Sequence, residues 1–134
     1  MSIPIIIQFI FNELDSSFIS SSIICIIFGV LFFLSNLDHE KKLNLPQAFL
    51  LTALSWISIA IFGSLPFVFS ELNLSITDSF FESISGITTT GSTIIINLNE
   101  APKSILLWRA ILQWLGGIGI IVMAITLMPI MNVG

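Results

Sequence analysis

Three stretches without a charged side chain, residues 16–37, 43–70 and 110–134, dominate this sequence, each longer than twenty residues and rich in Ile, Leu and Phe. At about 1.5 Å per residue, a helix of that length crosses a hydrocarbon layer of roughly 30 Å. In lipid every backbone N–H and C=O must find its partner within the segment, which a lone helix achieves and a lone strand does not. The predicted fold class is therefore all-α and transmembrane. Composition agrees: 55% of the 134 residues are hydrophobic and 9% are charged, where a soluble domain carries roughly a quarter charged residues.

The same composition excludes whole classes of function. A net charge of −4 with four Lys plus Arg offers no basic surface for phosphates, so nucleic acid is not an expected partner and membrane lipid is. Cys25 is the single cysteine and lies inside an apolar run, so neither a disulfide framework nor a zinc spacing exists, and it is expected to pack as a small hydrophobe. There is no nucleophile–base set and no phosphate-cradling loop, so no enzyme and no covalent cofactor are expected. The opening stretch, residues 1–12, has Pro4 near its head but neither a basic region nor a small-residue cleavage site. It is not expected to be a removable signal, and at roughly 18 Å as a helix it is too short to span.

Residues 1–44 read as two leading helices, one partial and one full, with a polar break at Asn12, Glu13, Asp15 and Ser16. A charged turn at Asp38, His39, Glu40, Lys41 and Lys42 closes this part. Asn44 and Pro46 then carry a helix-start signal, since proline loses nothing where the first amides have no partner. The unit from 45 to 134 is expected to hold a span over 46–70, a short helix over 78–87, a strip over 88–93 and a last span over 102–129. Pro66 is expected to kink or end the first of these spans. The short helix has Thr77, Asp78 or Ser79 as candidate caps, with Ser79 and Glu82 at capping-box spacing. Too short to cross, it enters the membrane and must return.

The return passes through Thr88, Thr89, Thr90, Gly91, Ser92 and Thr93. β-Branched residues around a glycine disfavour helix and suit an extended backbone. Two readings of this run stand side by side. It is either a polar loop at the membrane face, or a strip of carbonyls that replaces the water of a dehydrating cation, with the negative end of the preceding helix at Gly86 and Ile87 aimed at the ion.

The segment from Asp78 through Gly86-Ile87-Thr88-Thr89-Thr90-Gly91-Ser92-Thr93, then Pro102-Lys103-Ser104, Trp108-Arg109 and Gln113-Trp114-Leu115-Gly116-Gly117-Ile118-Gly119, resembles the first pore repeat of the TrkH family of potassium uptake proteins, within the Trk/Ktr/HKT superfamily. The resemblance covers roughly residues 40–134, where Leu65-Pro66-Phe67 also fits, and is looser upstream. It implies four helix–pore-loop–helix repeats after two extra helices, in a multi-pass protein of the plasma (inner) membrane, with K+ as the transported ion. It further implies that backbone oxygens of Thr88, Thr89, Thr90 and Gly91 face K+, with the ion at Thr89 and Thr90. Gly86, Glu82, Arg109 and Ser92 are then expected to support the strip, and Gly116, Gly117 and Gly119 to allow close packing or a bend. The leading helix is shorter than the family's, and one strip does not enclose an ion. The implied partners are therefore three further pore repeats, in the same polypeptide or as other copies of this chain, and a cytosolic nucleotide-binding regulatory ring. A homotetrameric single-repeat cation channel and a non-conducting truncated membrane subunit are the alternative readings.

Glu82 and Arg109 are expected to pair at the membrane margin, the other reading being that Arg109 snorkels to the outer interface. Trp56, Trp108 and Trp114 read as packing or interface anchors, and His39 as solvated. Lys41 and Lys42 against Lys103 and Arg109 leave the positive-inside count tied, so orientation follows the resemblance. That choice puts the Lys41 turn and Gly134 in the cytoplasm, and Glu13, Asp15, Glu71, Asp78, Glu82 and Glu100 around an acidic outer mouth.

Overall fold

A computed structural model of the chain describes residues 1–13, 15–36 and 44–131, with side chains through 125 apart from that of Leu45. These residues form five α-helices: α1 Ser2–Phe11, α2 Ser17–Ser35, α3 Leu45–Val68, α4 Ile76–Ile87 and α5 Lys103–Met131, with a short 3-10 turn at Leu98–Glu100 before α5. No strand occurs among the described residues. Among the described residues three helices are long and apolar enough to cross a membrane, over Ser17–Ser35, Pro46–Val68 and Lys103–Ile125. The charged turn with His39, Lys41 and Lys42, and the end at Gly134, lie outside the described residues.

Local chemistry sets the helix ends. The α3 start is as the sequence predicts, with Asn44 as cap, its amide donating to Gln47 Oε1 at 3.0 Å, and Pro46 in the first turn where no donor is missed. Pro66 sits in the last turn of α3, which ends two residues later at Val68. Asparagines mark the chain reversals: Asn12, Asn73 and Asn97 take left-handed φ of 51°, 52° and 57°, a conformation asparagine tolerates better than most residues.

Helix α4 packs against both α3 and α5, α1 lies on α5 and α2, and α2 lies on α3. The buried apolar core joins Phe18 of α2, Phe67 of α3, Ile95 and Ala101 of the return, and Ile105, Trp108 and Leu112 of α5. Outside it, long runs of Ile, Leu and Phe on α2 and α3 are exposed, such as Leu31, Phe32 and Phe33 at 58%, 66% and 68%. Water makes so large an apolar surface costly, while lipid solvates it.

Small residues permit the closest approaches. A Cβ at Gly116 of α5 would lie 1.9 Å from the carbonyl oxygen of Ile87, so only glycine lets the end of α4 touch α5 there. Gly63 of α3 meets Ser83 of α4, where a Cβ would lie 2.6 Å from Ser83 Oγ. The three glycines of α5 thus separate: Gly116 makes the contact, Gly119 has ordinary van der Waals contact with Trp56, and Gly117 faces open space. The tryptophans separate likewise, with Trp108 buried, Trp56 half-buried and Trp114 exposed. Cys25 is half-buried, its thiol 3.7 Å from Met1 Sδ.

Candidate functional site

Helix α4 is inside out by the standards of a soluble protein. Its buried residues are Ser79, Glu82, Ser83, Ser85, Gly86 and Ile87, while Ile76, Phe81 and Ile84 are exposed. Small side chains on the inward face let α4 approach its neighbours closely, and the outward apolar face suits a membrane setting. The cap is Ser75, whose hydroxyl accepts from Asp78 N at 3.1 Å, so the helix starts earlier than position 78. The capping-box reading of Ser79 and Glu82 is overturned: both are buried, and Glu82 points elsewhere.

Beyond Ile87 the chain turns back on the end of its own helix. Thr88 N donates to Ile84 O at 2.9 Å and Thr89 N to Gly86 O at 2.9 Å, while Thr90 N and Gly91 N both donate to Ser85 O, at 3.0 and 3.2 Å. These bonds absorb the free carbonyls that every helix end leaves. They also fix direction. In a planar trans peptide the N–H and C=O point opposite ways, and no cis peptide is present among the described residues. With the amides of Thr89, Thr90 and Gly91 directed at α4, the carbonyls of Thr88, Thr89 and Thr90 point away from it. Residues 88–91 are exposed.

Successive carbonyls of an ordinary extended strand alternate in direction, so this arrangement needs unusual dihedrals. Thr89 has φ +59° and Gly91 φ +76°, while Thr88 has φ −81°. Glycine accepts the left-handed region freely, but for a β-branched threonine it is an outlier costing of order 1–3 kcal/mol, the kind of strain that gathers at functional sites. Thr88 Oγ1 donates to Ile84 O at 2.8 Å and lies 2.9 Å from Thr90 Oγ1. The run expected to be extended from Thr88 thus begins with a turn over Thr88 and Thr89, because the Thr88 amide and hydroxyl still bond helix-fashion to Ile84.

Side chains hold the remainder of the return. Ser85 Oγ donates to Ser92 O at 2.6 Å. Glu82, 1% exposed, accepts from Thr93 Oγ1 at 2.6 Å and Ile94 N at 2.7 Å through one oxygen, and from Arg109 Nη1 through the other. Arg109, 8% exposed, also donates to Thr93 Oγ1 at 2.6 Å. A carboxylate and a guanidinium withdrawn from water demand partners on every side, and here each supplies the other and both grip the strip. Glu82 therefore does not belong to the acidic mouth, and Arg109 pairs inward rather than snorkelling. Ser85 was not singled out by residue type, and Thr93 only as part of the strip, yet they tie the return to α4 and α5. For Ser85 a signal existed, since it lies three residues after Glu82 and shares its helix face.

Among the described residues no group of His, Cys, Asp and Glu is placed to hold a metal ion. What the strip presents is a row of backbone oxygens, suited to a hard cation without adding charge.

The family model described as TrkH, cation transport protein, matches residues 14–134, and the chain belongs to that family. It is 40% identical over 136 aligned positions, covering all of this chain, to the Trk system potassium uptake protein TrkH of Escherichia coli strain K12. It is 42% identical over 135 positions, again its whole length, to TrkI of Halomonas elongata. An uncharacterized cation transporter of Methanocaldococcus jannaschii is 36% identical over 91% of this chain. The likeness reaches well upstream of residue 40, into the leading helices. The chain spans 28% of the length of the Escherichia coli relative. The chain is thus a member of a family of cation transport proteins, and three of its helices among the described residues are long and apolar enough to cross a membrane.

Proposed function

We propose that this chain contributes one of the four selectivity-filter strips of a Trk-type potassium uptake pore, as a helix–pore-loop–helix unit in which α3, α4 and α5 are outer, pore and inner helix, preceded by the leading helices α1 and α2. One set of bonds supports the reading: the amides of Thr89, Thr90 and Gly91 donate to the end of α4, which turns the carbonyls of Thr88, Thr89 and Thr90 away from it on exposed residues. Such a row replaces the hydration shell of K+ only when several strips converge, so three further repeats complete the ring, in the same polypeptide or in other copies. K+ is then held at Thr89 and Thr90, the backbone oxygens of Thr88 and Gly91 extend the row, and Glu82, Ser85, Gly86, Ser92 and Arg109 keep it in place. The names of the relatives support potassium as the ion. A cytosolic nucleotide-binding regulatory ring belongs to the same reading by family resemblance.

The test is uptake by the full-length protein in liposomes, with Gly91→Asp beside the parent. The side chain added at a left-handed position, with a charge at the strip, is expected to abolish potassium uptake or its preference over sodium. Unchanged uptake and preference in that variant would remove Gly91 from the ion path.

A further inference from the structure

A polar tie between the leading helices and the rest of the chain lies at the head of α5. Glu13, just past α1, accepts from the backbone amides of Lys103 and Ser104, at 2.6 and 3.3 Å, and from the Ser104 hydroxyl at 2.5 Å. The first amides of a helix have no intrahelical acceptor, and its positive end favours an anion. Glu13 thus caps a helix that begins ninety residues further along the chain.

The carboxylate is itself held in place. Asn12 turns left-handed at the end of α1, and the amides of Asn12 and Glu13 both bond to Gln8 O. A nearby acid, Asp15, accepts from Ser17 N at 2.9 Å at the start of α2. Further along α5, fully buried Phe18 meets Trp108 edge-on, with ring centroids 6.0 Å apart, and Trp108 Nε1 donates to Gly63 O at 2.9 Å. The next residue, Arg109, is the one that grips Glu82 and Thr93. A continuous path of helix, aromatic contact and ion pair therefore runs from Glu13 to the strip.

We propose that Glu13 is a positioning residue for the ion path: its cap sets the height and rotation of α5, and through Arg109 the placement of Thr93 and the carbonyls before it. The inference rests on the pore reading above and gives the leading helices a task within it. A carboxylate that only stabilised the fold would change how much protein accumulates, not how the surviving protein discriminates between ions.

The experiment uses full-length protein reconstituted in liposomes, with Rb+ as tracer and K+ and Na+ as competitors. Glu13→Gln is expected to raise the half-saturating K+ concentration and lower the K+/Na+ preference by about threefold to tenfold, the order expected for weakening charge-assisted bonds. Glu13→Asp, which keeps the charge, is expected to recover most of the loss. Ser104→Ala, which removes one donor of three, is expected to shift both quantities the same way by less. A Glu13→Gln protein that folds and keeps the parental half-saturation and preference overturns the proposal. Should Glu13→Gln not accumulate, Ser104→Ala decides by the same two readouts. Hydrogen exchange at the Lys103 and Ser104 amides is expected to quicken in Glu13→Gln, and unchanged exchange there also overturns the proposal. Parental protein without potassium-selective uptake would remove the pore reading instead, a result obtained before any variant is made.

Discussion

The inbound and outbound limbs around Ile87 solve the same problem in opposite ways. Inbound, α4 satisfies most of its backbone by helical bonds and needs help only at its two ends, where Ser75 accepts from Asp78 N and the amides of the return donate to its last carbonyls. Outbound, residues 88–95 form no regular element, and their backbone is held by the carbonyls at the end of α4 and by the side chains of Ser85, Glu82 and Thr93. Irregular backbone at membrane depth persists only where its polar groups are satisfied by protein or water. The comparison teaches that the outbound limb is only as well placed as the few side chains that hold it, whereas the inbound limb is robust to most of them.

The largest break in that comparison is expected at the ion pair. Glu82→Gln leaves Arg109 buried without its counter-charge, at about 3–5 kcal/mol, and Arg109→Gln does the same to Glu82. Thermal unfolding in detergent is expected to show both losses, with the double variant less damaged than their sum, because each side chain is costly chiefly when the other is left behind. Strict additivity would mean that the two do not act together. Next comes Gly116→Ala, whose methyl meets the Ile87 carbonyl and forces α5 away from the end of α4. A loss of about 1–3 kcal/mol is expected by the same measurement, against near-neutrality for Gly117→Ala, which adds its methyl to open space. The smallest effects sharpen the contrast between the limbs. Ser75→Ala and Ser85→Ala each remove one hydroxyl bond, worth about 1 kcal/mol. Ser75→Ala is expected to leave exchange at the amides of residues 90–95 unchanged, while Ser85→Ala is expected to speed it.

Much of this was legible beforehand. The three uncharged runs could hardly become anything but spans, and the helix starts at Asn44 and Pro46 follow from capping chemistry that acts within a few residues. Glu82 and Arg109 were readable as a pair because two charges in so apolar a chain have few alternatives to each other. The cap at Ser75 was missed because Ser75, Thr77, Asp78 and Ser79 are all competent caps, and local chemistry does not choose among neighbours. The contact of Glu13 with the head of α5 was missed for a different reason. As a carboxylate between two helices it has the sequence signature of a solvated turn, and nothing near it announces an acceptor for amides at Lys103 and Ser104.

The sequence by itself determined what depends on short range and on solvent: which segments are helical, which are long enough to span, and that residues 88–93 would leave the helix. Only the tertiary structure decided which glycine of α5 touches α4, where the Glu82 carboxylate turns, and that Glu13 caps α5. Those outcomes depend on contacts between residues far apart in the chain, whose partners are chosen by packing and by the demand that every polar group withdrawn from water be satisfied. Neither condition is written in the spacing of neighbouring residues.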